Sequence, residues 1–387
     1  RGARTLREAQ DMDEHALDMA QGRGGDQAAE MTLDGFTFYG GVSHGVEKRS
    51  KVRSRLVADQ LVKLIKEADH VVIMGHRMSD LDAIGAAEGV LRICKICDVP
   101  AVIAVRRDAT LAASLIDALC KAGQKDDFID PKDALPIISK RTLCIVVDTY
   151  QAGLVESKEI LEKCGKVAVI DHHRKGVGYI ENPALVCHEP YSSSASELVT
   201  ELLQYVGERD DKPNRVEAEG LLAGILLDTQ DFTLHTGVRT FEAAAALRRY
   251  GAETERVRRL FDVTMVEYNA KADLVEKAQM YKNCAISIGG EVAPEARVAI
   301  AQAANDLLRI QGVDASFVAV QVGNGVNVSA RSMGAVNVQV IMESLGGGGH
   351  LMMAGAQLQN CTLQDAEHRI REQIDLYRAA QKENTAR

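Results

Sequence analysis

The fold is decided by residues 167–173, which read Val-Ala-Val-Ile-Asp-His-His. Four consecutive apolar residues are typical of a short buried strand, and here they lead directly into one acid and two imidazoles. Two other apolar runs follow the same plan, since residues 70–75 precede His76 and residues 143–147 precede Asp148. In open α/β sheets, ligands bind outside the carboxyl ends of the strands. The three runs therefore predict a parallel sheet with a functional site along that edge.

The order of apolar and helical patterns predicts two domains of different kinds. Between residues 51 and 262, short apolar runs alternate with helical patterns, which is typical of an α/β fold with a doubly wound, mostly parallel sheet. A helical pattern over 263–282, drawn mainly from 266–281, is interpreted as a connecting helix. Residues 283–387 mix strands and helices and predict a second, smaller α+β domain. Residues 1–50 predict a helix, one or two strands and a linker, too little for a full domain.

The composition fits a globular protein that does not bind nucleic acid through charge alone. Hydrophobic residues make up 46% and charged residues 26% of the 387 residues, as in ordinary globular chains. The net charge of −9 argues against non-specific capture of duplex nucleic acid, which needs a cationic surface. Eight cysteines lie mostly within apolar runs, which favours free thiols in a reducing compartment. No run of about 20 apolar residues, the length that spans a bilayer, occurs in this chain.

Acidic and imidazole side chains recur after each of the three strands and at the end of one apolar helix. Carboxylates and imidazoles crowded into one cleft repel one another unless cations are bound. The number of donors suits two ions, and imidazole among them favours Mn²⁺, with Fe²⁺ or Co²⁺ as substitutes, over Mg²⁺. The candidate residues are His76, Asp80, Asp82, Asp148, Asp171, His172, His173 and Asp228.

The spacing of these residues resembles the four motifs of the DHH phosphoesterase superfamily. The motifs are His76-x3-Asp80-x-Asp82, the segment 146–149, Asp171-His172-His173 and the segment 227–229. Downstream, four glycines and a histidine resemble the signature of the associated DHHA1 domain. The combination covers residues from about 55 to 387 in the expected order and is specific.

This resemblance implies a particular division of ligands between two Mn²⁺ ions. One ion would be held by His76, Asp80 and Asp148. The second would be held by Asp82, Asp148, His172 and Asp228, so that Asp148 bridges the two. Asp171 and His173 are the implied catalytic residues. His173 would contact either the metal ligands, without binding the metal itself, or the substrate phosphate.

A second group of residues is interpreted as the substrate-binding site. A glycine run exposes backbone N–H groups that can cradle an anion, and a nearby arginine can hold a phosphate with two parallel hydrogen bonds. The resemblance implies that this loop holds the nucleotide that is not cleaved. Arg239, which opens a helix soon after Asp228, is a further candidate for phosphate contact. The remaining candidates are Ser329, Arg331, Ser332, Gly346, Gly347, Gly348, Gly349 and His350.

Residues 1–50 and 75–85 resemble one subgroup of the superfamily, the membrane-anchored cyclic-di-AMP phosphodiesterases that carry a degenerate GGDEF domain before the DHH domain. The expected activity is therefore hydrolysis of cyclic di-AMP to linear pApA, with cyclic di-GMP as a further candidate substrate. Two alternatives stay open. One is a nanoRNase acting on pApA or short oligoribonucleotides, and the other is a catalytically inactive nucleotide sensor.

The same resemblance carries expectations about location and assembly. This chain is expected to be soluble and cytoplasmic, as part of a longer protein anchored in the cell membrane. A homodimer is expected. Residues 1–50 are interpreted as the end of the degenerate GGDEF domain.

Overall fold

The structure is a computed structural model that describes residues 2, 5–22, 27–32, 35–40, 51–173, 178–208, 211–291, 297–349 and 351–385. The chain divides into two compact units, residues 1–261 and 262–387. Among the described residues, no helix has both the length and the apolar character needed to cross a bilayer.

The N-terminal segment forms a helix and a hairpin. Helix α1 spans Leu6–Gly22, and strands β1 (Gln27–Thr32) and β2 (Gly35–Gly40) pair antiparallel. Met12 and Ala16 lie on the buried side of α1, because residues four apart share one face of a helix. The helix and two strands expected here are thus present.

The first unit is built on a six-stranded sheet in which every neighbouring pair is parallel. Its spatial order is β5-β4-β3-β6-β7-β8. The strands are β3 (His70–Met74), β4 (Ala101–Ala104), β5 (Phe128–Ile129), β6 (Thr142–Val147), β7 (Lys166–Asp171) and β8 (Leu185–His188). The chain runs outward from β3 to one edge and then returns to β6. The order therefore reverses between β3 and β6, which is where open α/β sheets form their ligand crevice.

Helices cover both faces of this sheet. Alternate residues of β6 enter two separate cores, with Ile145 on one face and Cys144 and Val146 on the other. The helices are α2 (Lys51–Glu67), α3 (Leu81–Ile96), α4 (Ala113–Leu119), α5 (Pro131–Ala134), α6 (Lys158–Lys163), α7 (Ala195–Leu203), α8 (Arg215–Thr229), α9 (Val238–Arg249) and α10 (Thr254–Arg259). The predicted doubly wound parallel sheet is confirmed. The short strands β5 and β8 were not predicted, since two to four residues give little periodic signal.

Helices α3 and α8 pack unusually closely. A Cβ added to Gly85 would lie 2.5 Å from the carbonyl oxygen of Gly220, so only glycine fits there. Helix α3 begins beside Asp80 and Asp82, and α8 ends at Asp228 and Thr229. This close contact therefore fixes the distance between two groups of candidate ligands.

The second unit is a smaller mixed sheet covered by four helices, as an α+β domain was expected to be. Its order is β13-β14-β12-β11-β10-β9, and among these described strands only β10 and β11 run parallel. The elements are α11 (Met265–Glu276), β9 (Gln279–Tyr281), β10 (Cys284–Glu291), α12 (Arg297–Leu307), β11 (Ala315–Val322), β12 (Gly325–Ser332), α13 (Val338–Ser344), β13 (Gly348–Gly349), β14 (Met353–Gln359) and α14 (Leu363–Thr385). Helix α12 covers one face of β11, and α13 and α14 cover the face that carries Phe317.

Two predictions in this unit were wrong in detail. The helix expected over 266–281 ends at Glu276, because Tyr281 and Cys284 form a hairpin pair around Lys282 and Asn283. Both central residues have positive φ, at 49° and 60°, as a two-residue type I′ turn requires. The glycine run was expected to be a loop, but its last two residues form an edge strand against β14.

Candidate metal centre

The first part of the centre lies in the turn between β3 and α3. Asp80 caps α3, and its Oδ1 accepts hydrogen bonds from the backbone N–H groups of Asp82 (3.0 Å) and Ala83 (3.1 Å). This leaves Asp80 Oδ2 facing His76 Nε2 at 3.8 Å. The Ser79 hydroxyl donates to the carbonyl of His76 at 2.6 Å, which holds the turn in place.

Asp148 lies at the middle of the centre. Its Oδ2 is 3.4 Å from His76 Nε2, and its Oδ1 is 3.4 Å from His172 Nε2. The residue is buried and has φ +59°, a left-handed conformation that is uncommon for residues other than glycine. Its N–H donates to the carbonyl of Ile170 at 2.9 Å. Such local strain is found where the surrounding structure imposes it, often at functional sites.

Asp82 is held by the start of another helix. Its side chain is fully buried, and its two oxygens accept from the backbone N–H groups of Ala195 (2.7 Å) and Ser196 (2.8 Å) at the start of α7. A helix N-terminus stabilises a carboxylate through these free N–H groups. The residues 193–196 were not predicted to belong to the site, because nothing in the sequence places them beside Asp82.

His172 joins the remaining ligands. Its Nε2 is 3.0 Å from Asp228 Oδ2 and 3.9 Å from Asp82 Oδ2. Asp228 lies in the last turn of α8, where a lone acid next to apolar residues would be costly without a partner.

Asp171 differs from the other acids because its carboxylate is hydrogen-bonded to His173. Its Oδ1 accepts from the N–H of His173 (3.1 Å) and lies 2.9 Å from His173 Nδ1. The carboxylate therefore orients the His173 ring, whose Nδ1 also lies 3.5 Å from Asp148 Oδ1. Because the side chain of His173 is 45% exposed, its ring is accessible to a ligand.

The described residues form three groups that fit bound cations. Within each group the ligand atoms all lie within 4.8 Å of one another, and each group includes Asp148. Asp148 Oδ1 and His172 Nε2 are buried and have no hydrogen-bond partner among the described residues, which is what two atoms with a common metal would show. The groups are Asp148, His172 and His173; Asp82, Asp148, His172 and Asp228; and His76, Asp80 and Asp148.

The electrostatics of the cluster lead to the same conclusion. Burial raises the pKa of Asp82 well above its ordinary value, and the charges of Asp148 and Asp228 raise it further. Burial opposes the charged form of His76, but the adjacent carboxylates of Asp148 and Asp80 outweigh this and raise its pKa to about 10. Without cations the cluster therefore retains protons at neutral pH. Divalent ions would displace them, because metal ligands must be deprotonated.

We expect the metal-free protein to lose stability as the pH rises above neutrality. The folded-state pKa is raised from 6.5 to about 10 for His76 and to about 9 for His173, where burial and the charge of His172 are outweighed by Asp171. A raised histidine pKa contributes stability that is complete below pH 6.5 and is lost as the pH passes through the folded value. In EDTA, the urea concentration at which half of the protein is unfolded should therefore fall as the pH is raised from 6.5 to 9. A flat or rising midpoint would contradict this assignment.

Two controls separate this effect from other titrations. His76→Ala should weaken the pH dependence in EDTA. With Mn²⁺ bound, wild-type stability should change less over the same range, because the ions replace the protons.

In the second unit, Ser329 and Arg331 lie on one face of β12. Arg331 Nε donates to Asn305 Oδ1 (3.1 Å), and its Nη1 donates to Ser329 Oγ (3.0 Å). Burial lowers the pKa of Arg331 to about 10, and no carboxylate among the described residues lies within ion-pairing distance. Gly355 pairs with both Ser329 and Gly348, so the glycine segment belongs to the same sheet, two strand spacings or about 10 Å from Ser329.

Glycine is also needed in this segment because a side chain would clash with β14 or strain the backbone. A Cβ on Gly347 would lie 2.1 Å from the carbonyl oxygen of Gly355, and one on Gly349 would lie 2.4 Å from Ala354 Cα. Gly346 adopts φ +80°, which favours glycine. His350, also predicted here, lies outside the described residues.

Two predicted substrate residues are engaged elsewhere. Ser332 is fully buried on the opposite face of β12, because side chains alternate along a strand. Its hydroxyl accepts from the N–H of Gly334 and donates to the carbonyl of Asp314. Arg239 makes a two-point ion pair with Glu201, at 2.7 Å and 2.6 Å, so its Nε and Nη2 are already bound to a carboxylate.

Comparison with known proteins agrees with this geometry. Residues 70–225 match the DHH family, N-terminal domain, and residues 293–380 match the DHHA1 domain. The chain is 45% identical to the cyclic-di-AMP phosphodiesterase GdpP of Geobacillus thermodenitrificans, covering 97% of this chain and 58% of that protein. It is 42% identical to the cyclic-di-AMP phosphodiesterase GdpP of Bacillus subtilis, covering 96% of this chain and 58% of that protein. The chain thus spans less than two thirds of these relatives.

A solved structure shows the same fold. An exopolyphosphatase-related protein from Bacteroides fragilis superposes with a TM-score of 0.72 at 20% identity, covering 85% of this chain and 98% of that one. At this level of identity the likeness concerns architecture alone. The family follows from the two domain matches alone: the chain belongs to the DHH family, with a DHH N-terminal domain in its first unit and a DHHA1 domain in its second.

Proposed function

We propose that this chain hydrolyses cyclic di-AMP to linear pApA at a centre of two divalent cations, for which Mn²⁺ suits the donors best. The observation that carries the proposal is the cluster of carboxylates and imidazoles around Asp148 at the switch point of the sheet. The identity to cyclic-di-AMP phosphodiesterases over nearly the whole chain supports the substrate. One water is consumed, one P–O3′ bond breaks and one P–O bond forms.

In this proposal the side chains have three separate roles: binding the cations, orienting His173 and binding the substrate. His76, Asp80 and Asp148 would hold one cation, and a second set would hold the other: Asp82, Asp148, His172 and Asp228. When bound, such a pair of cations activates a water and stabilises the departing oxygen of a phosphoester. Asp171 keeps the proton of His173 on Nδ1 and directs the ring toward the substrate phosphate. Ser329, Arg331 and the glycine segment hold the nucleotide that is not cleaved.

A product assay tests the proposed substrate. With Mn²⁺ present, initial rates should be highest with cyclic di-AMP when it is compared with cyclic di-GMP, pApA and a short oligoribonucleotide, and pApA should be the product. Faster cleavage of pApA or of the RNA would favour a nanoRNase, and binding without turnover of any substrate would favour a nucleotide sensor. Mg²⁺, Co²⁺ and Fe²⁺ in place of Mn²⁺ would identify the preferred ion.

The proposal extends to the longer protein. We infer that residues 1–50 are the end of a degenerate GGDEF domain, that a membrane anchor precedes it, and that this part faces the cytoplasm as a homodimer. The resemblance of residues 1–50 to that subgroup supports these inferences. Light scattering of the purified chain would test the dimer.

A further inference from the structure

Arg106, which was not among the predicted site residues, stands at the same edge of the sheet as His76. Strands β3 and β4 are parallel neighbours, with Ile73 opposite Ile103. His76 and Arg106 each lie three residues after this pair, two residues past the carboxyl end of β3 and of β4 respectively. Neighbouring strands lie about 5 Å apart, so the arginine leaves the sheet beside a candidate metal ligand.

The loop after Arg106 is tied to the turn that carries His76. The carbonyl of Ser79 accepts from the N–H of Leu111 (2.8 Å) and from the hydroxyl of Thr110 (2.7 Å). The N–H of Thr110 in turn donates to the carbonyl of Arg106 at 3.1 Å. The backbone of Arg106 is therefore anchored relative to the metal centre from its carboxyl side.

Glu156 fixes the side chain of Arg106. The Glu156 backbone N–H donates to the carbonyl of Gly75 (2.9 Å), the residue before His76. The Glu156 side chain is 0% exposed, and its Oε1 accepts from Arg106 Nε at 2.5 Å. Its Oε2 is buried without a hydrogen-bond partner among the described residues.

Within the part of the chain that the structure describes, this arrangement leaves the terminal nitrogens of Arg106 without a partner. Among the described residues, its guanidinium donates only through Nε and has only Glu156 as an ion-pair partner. The side chain is 39% exposed. A guanidinium held through Nε presents two further nitrogens, with four N–H donors, in a fixed plane, the geometry that recognises phosphate oxygens.

A purely structural role explains this pair less well. The Arg106 side chain is 39% exposed, whereas the Glu156 side chain is buried. An ion pair with an exposed partner contributes little to stability. A buried carboxylate in such a pair is often less favourable than an apolar residue of similar size. Burial of Glu156 with one oxygen unsatisfied therefore adds little stability. It does hold the arginine in one orientation beside His76.

We propose that Arg106 binds a phosphate of the substrate next to the metal centre and that Glu156 is the residue that positions it. The proposal rests on the proposed function in taking a cyclic dinucleotide as the source of that phosphate. The group that Arg106 binds is a negatively charged phosphodiester oxygen. The guanidinium contacts it on the side of the metal centre that is nearest β4.

The test compares Arg106→Ala with Arg107→Ala in the Mn²⁺-loaded protein. Arg107 is the matched control, because it carries the same charge one residue away, while its Nη2 donates to Cys120 Sγ (2.7 Å) and its guanidinium lies 5.8 Å from the centre of the Phe128 ring. Two quantities are measured: KM for cyclic di-AMP, and the Kd of a slowly hydrolysed phosphorothioate analogue of cyclic di-AMP by calorimetry. Arg106→Ala should raise both by about tenfold or more, the size of one charge-assisted hydrogen bond, and Arg107→Ala should leave both near wild type.

The two measurements separate the new inference from the proposed function. If wild type binds the analogue in an Arg106-dependent way but does not hydrolyse cyclic di-AMP, the proposed function fails and the phosphate contact stands. If Arg106→Ala and Arg107→Ala have the same Kd, the phosphate contact is overturned whatever the turnover. If wild type neither binds the analogue nor hydrolyses cyclic di-AMP, both are overturned.

Arg106→Lys and Glu156→Gln complete the design. Lysine keeps the charge but lacks the planar guanidinium, so the Kd of the analogue for Arg106→Lys should lie between the values for wild type and Arg106→Ala. If thermal denaturation shows that Arg106→Ala is unfolded, Arg106→Lys is compared with Arg107→Ala in its place. Glu156→Gln should raise KM with little change in kcat. The double variant Arg106→Ala/Glu156→Gln should bind no more weakly than Arg106→Ala alone, because residues acting through one contact are not additive. Additive losses would contradict the positioning role.

Discussion

Replacing Asp148 with asparagine is expected to reduce turnover of cyclic di-AMP by roughly a thousandfold or more, a loss typical of removing a central catalytic group. Asp148 belongs to each of the three groups of candidate ligands among the described residues. Asparagine keeps the shape of the side chain but removes the charge that would be shared by two cations. It also tolerates the left-handed backbone at φ +59°, so the fold should survive. Turnover, Mn²⁺ stoichiometry and circular dichroism together check this result.

Asp98 offers a matched control for this substitution. It has the same side chain and nearly the same backbone, with φ 56°, but lies after the end of α3, at the end opposite Asp80 and Asp82. Asp98→Asn should leave turnover and metal content unchanged. Undiminished activity of Asp148→Asn with a full complement of Mn²⁺ would contradict the two-cation centre.

Gly224→Ala is expected to impair both stability and catalysis, although position 224 carries no side chain in the wild type. A Cβ there would lie 2.3 Å from Ser196 Oγ and 2.6 Å from Asp82 Oδ1. The Cα of Asp82 would also lie only 2.8 Å away, so rotating the carboxylate is not enough and Asp82 itself must shift. Overpacking of this kind costs about 1–3 kcal/mol of the free energy of unfolding, and a ligand displaced by about 1 Å can cost roughly a hundredfold in rate.

The measurements for Gly224→Ala are urea unfolding, Mn²⁺ stoichiometry and kcat. Gly290→Ala is the control, because a Cβ at that position meets nothing within 4 Å. Normal Mn²⁺ content together with normal kcat in Gly224→Ala would show that the contact between α7, α8 and Asp82 does not position this ligand.

Much of the fold could be predicted because its signals are local. The apolar runs that became β3, β6 and β7 are short, buried and followed at once by acids or imidazoles, so both the sheet and the edge carrying the candidate ligands follow from neighbouring residues. The hairpin at Tyr281–Cys284 was missed because Lys-Asn is a weak turn sequence compared with Asn-Gly.

Local patterns were enough to predict that His76, Asp148 and His172 would each follow a strand of one parallel sheet, because each apolar run and the residues after it are neighbours in the chain. Four other features were set by three-dimensional packing: α7 binds Asp82, Glu201 pairs with Arg239, Ser332 faces the core, and Glu156 holds Arg106. Each of these depends on which face of an element meets a partner distant in the chain. That choice is made by packing of the whole molecule, which no local pattern encodes.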